Sequence, residues 1–266
     1  MNLKVWVIFV LVVTTAGCAV SERNVSSNFV GQTSANQNDV LVDPNGEDFA
    51  DEDFDLLEEE LTKKKVDIAD PLEGLNRLMY GLNDVLYFWV LKPCASTYKA
   101  VVPEPARIGI HNFFNNLTTP VRFVNCLLQG KGEEAGTEFE RFVVNTTVGV
   151  LGFGDPAKDQ YGLEPVEEDL GQTLAVHGFE NGCYIVLPLL GPSTVRDSVG
   201  KVGDLFLNPV FYLEPTEAAV GTYAVEITNE NSFRIGEYEV FKSAAVDPYV
   251  AMREAYIQYR NKQIQE

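Results

Sequence analysis

The sequence predicts a mainly α fold, and three features of its pattern support that prediction. After residue 70, apolar residues recur at spacings of three and four through most of the chain, which is the period of an amphipathic helix. Asp-Pro pairs at Asp70 and Asp247 open two of these segments, and they provide an N-cap followed by a first-turn proline. The regular alternation of strands and helices that marks a parallel α/β sheet is absent, and so are internal repeats.

The first predicted helix begins at Asp70 and runs for about 20 residues, a rod of roughly 30 Å. Its apolar positions follow the helical period, at Leu72, Leu75, Leu78, Met79, Leu82, Val85, Leu86 and Trp89. Three more helices are predicted after it, at residues 104–116, 120–130 and 133–147. The last of these carries Phe139, Phe142 and Val143 on one face.

The middle of the chain loses this period. Between residues 152 and 182 the sequence is rich in Gly, Pro and acidic residues, which predicts a long loop or hairpin. Residues 184–190 then form a short apolar run that Pro188 interrupts. We expect this run to be a buried or membrane-facing segment.

Helical spacing returns in the last third of the chain. One helix is predicted at residues 195–206, and Asn208-Pro209 ends it. The next covers residues 217–242, with an interruption near residues 229–231, and the final helix covers residues 246–263.

Residues 1–17 are typical of a secretory signal peptide. Nine consecutive apolar residues at 5–13 follow a short basic start, and nine are too few to span a bilayer as a helix. The next residues, Thr15-Ala16-Gly17-Cys18, look like the end of a bacterial lipobox, which predicts that Cys18 becomes the diacylated first residue of a lipoprotein. Thr15 stands where this pattern usually has Leu, so ordinary cleavage and secretion remain an alternative.

Residues 18–69 differ in composition from the rest of the chain, and we predict a disordered acidic tether. Within them, residues 43–60 hold ten acidic side chains and no basic one. Such a segment buries too little apolar surface to offset the entropy lost on ordering. The whole chain has 39 acidic and 20 basic residues, a formal net charge of -19. Because nucleic acids are bound by clustered Lys and Arg, a nucleic-acid partner is excluded.

The cysteines and histidines predict no metal site. Cys94, Cys126 and Cys183 are widely spaced and form no C-x-x-C pair, and His111 and His177 belong to no ligand cluster. Whether two of these three cysteines form a disulfide remains open.

The sequence also predicts no enzyme and no cofactor. Ser96 and Lys99 match the S-x-x-K pattern of penicillin-recognising enzymes, but the S-D-N and K-T-G elements of those enzymes are missing. A lipase elbow, a P-loop and a dinucleotide-binding glycine motif are absent as well. A lipid-hydrolysing enzyme that uses Ser96 stays as a minor alternative.

An ordered set of short motifs over residues 70–260 resembles the MlaA (VacJ) family of outer-membrane lipoproteins. The set begins with DPLEGLNRLMY at residues 70–80 and includes VPEPAR at 102–107, LTTP at 117–120, LLQG at 127–130, GVLGFGD at 149–155, EDLGQTL at 168–174, DPY at 247–249 and REAY at 253–256. Any one of these motifs is weak, but their order along residues 70–266 is specific. The long tether departs from the family pattern, in which the Asp-Pro start usually follows the cysteine closely.

The resemblance implies a ring of amphipathic helices around a central lipid channel, formed by residues 70–266 and lying in the outer membrane of a Gram-negative bacterium. It implies removal of misplaced phospholipid from the outer leaflet and delivery to a periplasmic lipid carrier of the Mla type, beside a trimeric porin. A lipoprotein that braces the porin without transporting lipid is the alternative.

We expect the first helix and the segment at residues 152–182 to border this channel and to control access to it. The helix places polar side chains among leucines, so its polar positions can face a wet path while its apolar positions face lipid. Gly81 is a weak point in the helix, costing about 1 kcal/mol relative to Ala. The candidate gate residues are Asn76, Arg77, Tyr80, Gly81, Leu82 and Asn83. A plain amphipathic core helix is the alternative interpretation.

Overall fold

The computed structural model describes residues 68–265. The predictions for the signal peptide, for Cys18 and for most of the tether therefore concern residues outside this range. Within it the chain is mainly helical with one short β-hairpin, which confirms the predicted fold class. The helices are α1 (Glu73–Leu86), α2 (Lys92–Val101), α3 (Glu104–Leu117), α4 (Thr119–Gln129), α5 (Gly132–Thr147), α6 (Pro156–Tyr161), α7 (Leu170–Val176), α8 (Val195–Leu205), α9 (Thr216–Phe233), α10 (Glu237–Ala244) and α11 (Pro248–Gln265).

The first helix extends about ten residues beyond its predicted end. A π-helical turn, Tyr87–Leu91, joins α1 to α2, so the helical path passes through Pro93 without a break. A proline has no N–H to donate, and its ring crowds the carbonyl four residues earlier. The wider turn, in which the N–H of Lys92 donates to the carbonyl of Tyr87, lies just before that point. Helix α2 ends where Val102 becomes extended ahead of the next proline.

The prediction for residues 152–182 was wrong in its content, because two short helices occupy much of this segment. Each begins with an aspartate cap. The side chain of Asp155 accepts from the N–H of Lys158, and Asp169 forms a capping box with Gln172. The hairpin lies further along, where β1 (Tyr184–Leu187) pairs antiparallel with β2 (Gly191–Thr194).

The predicted interruption near residues 229–231 was also wrong. Helix α9 runs through these positions, and the break comes at Gly236, whose φ of 100° is left-handed. Asn229 is fully buried and uses its amide to donate to the carbonyl of Arg107 and to accept from the hydroxyl of Tyr98. The polar residues at this point therefore join helices instead of ending one.

The small apolar core is built on the hairpin. Alternate residues of β1 point to opposite sides, as the strand period requires. Cys183, Ile185 and Leu187 form one cluster, while Tyr184 and Val186 join a second cluster with Tyr249 and Ile257 of α11. Cys94 and Cys126 carry free thiols, so no disulfide joins any two of Cys94, Cys126 and Cys183.

Two asparagines of α1 bond the edge of β1 in place of a third strand. The amide of Asn76 donates to the carbonyl of Tyr184 (3.0 Å) and accepts from the N–H of Val186 (2.9 Å). Seven residues later, the amide of Asn83 donates to the carbonyl of Leu187 (2.9 Å) and accepts from the N–H of Leu189 (2.8 Å). Seven helical residues rise about 10.5 Å and three strand residues about 10 Å, so the two spacings match.

Replacing Asn76 with Ala is expected to lower the unfolding free energy by about 3 kcal/mol, because two backbone groups and the carboxylate of Asp70 lose a buried partner. Asn83→Ala is the matched control. Its site is more open, so water replaces part of what is lost, and we expect about 1 kcal/mol. Thermal melting of both variants in detergent measures the difference, and equal losses would show that the buried amide is not special.

Candidate functional site

The outer surface of the described chain is unusually apolar. On α1 and the π turn, apolar side chains spaced by three and four residues are exposed and form one stripe. Its members are Leu75, Leu78 (64% exposed), Leu82, Val85 and Trp89 (80% exposed). The helical period in the sequence was therefore correct, and the apolar stripe of this helix faces outward. Large exposed apolar areas mark contact with lipid or with another protein.

The segment that follows α5 adds to this surface. It exposes Val148, Val150, Leu151 and Phe153, and it holds Val150 and Leu151 at φ of 54° and 60°, a left-handed conformation that is rare for these residue types. The backbone of this segment packs closely on the side chain of Asn116, since a Cβ added at Gly152 would lie 2.6 Å from the Cβ of Asn116. These apolar side chains are thus presented on a rigid support.

The interior, in contrast, is polar. Among residues 68–265, 19 buried residues have polar or charged side chains, against 14 with hydrophobic ones, glycine and proline aside. A water-soluble domain of this size buries mainly aliphatic and aromatic side chains and leaves charged residues outside. Here the buried set includes seven charged residues, although most charged residues of the described range remain at least partly exposed. Buried charges must be paired and hydrogen-bonded, and two networks meet that demand.

The first network centres on Arg260 of α11. Its guanidinium donates to both oxygens of Asp169 (2.7 and 2.9 Å) and to both oxygens of Asp197 (3.1 and 3.2 Å). Tyr256 and Arg196 also donate to Asp197. Burial by itself would raise the pKa of Asp197, but the hydrogen bonds and charge of Arg260 outweigh it and lower that pKa to about 2. One side chain thus ties α11 to the start of α7 and to α8.

The second network joins α4 and α5 to the loop before α6. Arg122 donates to Glu138 (2.7 Å), which is fully buried, and Arg141 donates to Asp155 (2.9 Å). Asn145 donates to the same aspartate (2.7 Å) and accepts from the N–H of Ala157. Burial would raise the pKa of Asp155, yet the bonds from Arg141 and Asn145 lower it. The charges of this network therefore balance within the protein.

Two polar cavities lie along α3. One, of about 160 Å³ and open to solvent, lies between α3 and α9. The other, of only about 10 Å³, borders the second network, and Asn115 lines both. Asn116 Oδ1 and Arg141 Nε belong to residues that line the smaller cavity, and neither atom has a hydrogen-bond partner. The interior therefore offers polar space beneath an apolar exterior.

Helix α1 carries all six candidate gate residues, and the structure gives each a distinct position. Asn76 and Asn83 bond the hairpin, as described above. Arg77 is exposed and donates to Glu73 (2.8 Å) and to Asp247 (2.9 Å), which links α1 to the start of α11.

Tyr80 faces α10, where its hydroxyl is hydrogen-bonded to the hydroxyl of Tyr238 (3.0 Å). Gly81 has open space around it, since an added Cβ would meet no atom within 4 Å. Leu82 lies on the exposed apolar stripe. The polar gate residues thus point towards the hairpin, α10 and α11, and the apolar one points outward. Sequence reasoning missed the charged networks, because a buried Arg or Asp at helical spacing looks the same as a solvated one.

Among residues 68–265, no helix combines the length and the apolar content needed to cross a bilayer. An apolar outside with a polar interior suits a protein whose perimeter contacts lipid. Such an arrangement can hold an amphiphile, with its polar end inside and its chains outside.

Comparisons with known proteins agree with this arrangement. The lipoprotein MlaA of the intermembrane phospholipid transport system of Haemophilus influenzae is 34% identical over 200 residues, which cover 74% of this chain and 80% of that protein. The protein of the same name from Escherichia coli K12 is 36% identical over 193 residues, 71% of this chain and 76% of that one. A solved structure described as "Structural basis for maintenance of bacterial outer membrane lipid asymmetry" matches with a TM-score of 0.66 and 34% identity, and covers 74% of this chain and 99% of its own.

The family model for the MlaA lipoprotein matches residues 68–263, which is almost the whole of the described chain. This match confirms the resemblance found in the ordered motifs of the sequence. The chain belongs to the MlaA lipoprotein family.

Proposed function

We propose that this protein is an outer-membrane lipoprotein that removes misplaced phospholipids from the outer leaflet and passes them to a periplasmic carrier, and so maintains lipid asymmetry. The observation that carries the proposal is the combination of a large exposed apolar surface with an interior in which polar and charged residues outnumber hydrophobic ones. A phospholipid needs a polar path for its headgroup and an apolar one for its chains, and a ring of helices around a wet channel supplies both. The relatives named for intermembrane phospholipid transport support the same reading.

The protein acts without bond-breaking chemistry in this proposal, since moving a lipid between leaflets needs a path and not a nucleophile. Its partners are phospholipid, a periplasmic lipid carrier of the Mla type and a trimeric outer-membrane porin. The porin would hold the protein in place, and the exposed apolar stripe of α1 and the residues at 148–153 offer surface for lipid or porin alike.

We propose that α1 and the segment at residues 152–182 border the channel and form its gate. The hairpin, which Asn76 and Asn83 bond to α1, forms one unit with that helix. Arg77 links this unit to the start of α11, and Tyr80 links it to α10. Gly81 has open space around it, and Leu82 faces outward. Movement of the unit relative to α10 and α11 would open a path from the apolar perimeter to the polar interior.

The test is lipid movement by the purified protein. Proteoliposomes with fluorescent phospholipid in one leaflet are mixed with the periplasmic carrier, and delivery to the carrier is measured. Transport predicts delivery that depends on this protein. A protein that stabilises the porin but delivers no lipid would support the structural alternative instead.

Replacing Cys18 with Ser is expected to remove the anchor, because two acyl chains contribute about 0.8 kcal/mol for each buried CH₂ and together hold the protein firmly. The variant should remain as an unprocessed precursor or enter the soluble periplasm. Fractionation with labelled fatty acid measures this. Normal labelling and outer-membrane recovery of the variant would contradict the assignment of Cys18.

A further inference from the structure

The larger cavity along α3 is formed by two facing helical stripes. Helix α3 contributes positions that share one face, at His111, Phe114, Asn115 and Thr118. Helix α9 contributes Glu226, Asn229 and Glu230, which also share a face. Between them lies a cavity of about 160 Å³ that is lined by two carboxylates, two amides, a hydroxyl, an imidazole and the phenyl ring of Phe114.

Buried hydrogen bonds one turn away join the two helices and fix their spacing. The guanidinium of Arg107 donates to the hydroxyl of Ser232 (2.9 Å), and Asn229 donates to the carbonyl of Arg107 (3.1 Å). All three residues are more than nine-tenths buried. The cavity is therefore preformed and does not depend on a ligand to open it.

The two carboxylates of the cavity differ in their partners. Glu230 accepts from Arg234 (2.9 Å) and pairs with His111 (3.0 Å), and the imidazole bond lowers the pKa of this carboxyl. Glu226, in contrast, has no hydrogen bond or ion pair within residues 68–265. It is partly buried, and that burial, with the nearby charge of Glu230, raises its pKa. The cavity therefore holds one carboxylate whose charge the protein does not balance.

The surroundings of the cavity point to an amphiphile. Val225 and Ile227, which flank Glu226, are exposed apolar residues, as is Ile108 on α3. On the other side of Asn115, the smaller cavity contains the unpartnered Asn116 Oδ1 and Arg141 Nε, both in residues more than nine-tenths buried. The smaller cavity has about 10 Å³, room for about one water molecule, which would satisfy these atoms.

We propose that the α3–α9 cavity binds the ammonium group of an ethanolamine phospholipid, with Glu226 as its counter-ion. This inference rests on the proposed transport function and adds the headgroup class to it. A primary ammonium carries one positive charge and three N–H donors, which an unpaired carboxylate beside amide and hydroxyl groups can accept. A trimethylated ammonium has no donor and is recognised by several aromatic rings, whereas this cavity has only Phe114.

The test uses the full-length lipidated protein in detergent with equal amounts of dioleoyl phosphatidylethanolamine and dioleoyl phosphatidylglycerol. Native mass spectrometry gives the ratio of the two lipids bound. Wild type should favour the ethanolamine lipid about tenfold, and Glu226→Gln should bring the ratio close to one. Glu217→Gln, which alters an exposed glutamate of the same helix, is the control and should keep the wild-type ratio.

Four further results complete the test. Because Glu226 has only a like-charged neighbour, its neutralisation should leave the melting temperature unchanged or higher. Wild type should bind as little dioleoyl phosphatidylcholine as glycerol lipid. If it binds as much of it as of the ethanolamine lipid, the proposal that N–H donors of the ammonium are recognised is overturned. Equal binding of the ethanolamine and glycerol lipids by wild type, or an unchanged ratio in Glu226→Gln, would overturn the site and leave transport standing. Binding of no lipid would overturn the transport function itself.

Discussion

Deletion of Gly81 and Leu82 is expected to make the protein leak phospholipid to the cell surface, and to do so in the presence of wild-type protein. Each helical residue turns by about 100°, so removing two rotates everything after them by about 200° relative to the part before. The amide of Asn83 would then turn away from Leu187 and Leu189. The hairpin would lose one of its two attachments to α1.

The same rotation exchanges the faces of the rest of the helix. Asp84 accepts from Lys242 (2.7 Å) and Tyr238 (2.9 Å) of α10, and it would turn towards lipid. Trp89, now exposed, would turn towards α10. A gate in this state cannot seal, and an open path lets phospholipid of the inner leaflet reach the surface. Because a leak adds to whatever the normal copies do, the effect should be dominant.

Surface phospholipid, measured by its modification by outer-membrane enzymes, reports this result. The matched control is the double substitution of Gly81 and Leu82 by Ala, which keeps the helical register and adds a methyl group where Gly81 has open space. It should show no surface phospholipid. A deletion protein that is stable and membrane-bound but recessive would show that α1 is only a scaffold.

Replacing Arg260 with Ala should have the largest effect on stability. Its loss leaves Asp169 and Asp197 without their shared cation, and Asp197 is only 3% exposed. Removing one partner of a buried pair typically costs about 3–5 kcal/mol, a large part of the stability of a domain. Arg234→Ala removes an exposed pair on α9 and should change the unfolding free energy by less than about 0.5 kcal/mol.

The pH dependence of unfolding tests the same pair. Since the pKa of Asp197 is lowered to about 2 in the folded protein, its contribution is present above the unfolded pKa of about 4 and is lost as the pH falls towards 2. Arg260→Ala should weaken this loss, and adding Asp197→Asn should restore part of the stability. An Arg260→Ala variant that melts like wild type would contradict the central place given to this residue.

The helices could be predicted from the sequence because their apolar residues keep a helical period whether the stripe faces a core or lipid. The spacing of Leu78 and Trp89 would be the same in either case, so the outward direction of the stripe was expected from the polar residues among the leucines and not from the period itself. The hairpin was missed because β1 is buried on both faces and so shows no alternation. Its turn also departs from the usual pattern, with Leu189 and not Gly at a φ of 67°.

The candidate site was predictable only in part. Asn76 and Asn83 were chosen as polar residues among leucines, and the structure shows that these amides bond a strand edge, a role that sequence alone does not reveal. Arg260 gave no signal, because its partner Asp169 lies about 90 residues away in the sequence. Glu226 gave none, because His111, which lines the same cavity, lies about 115 residues away. Charged residues that come together from distant parts of the sequence leave no periodic pattern in it.

Trp89 can test directly whether the apolar exterior contacts lipid. The chain has two tryptophans, and Trp6 lies in the predicted signal peptide, so the processed protein would carry Trp89 alone. In proteoliposomes containing phospholipids with brominated acyl chains, we predict blue-shifted Trp89 emission that the brominated chains quench and aqueous iodide does not. Emission typical of water, quenched by iodide and insensitive to brominated chains, would show that this surface does not contact lipid.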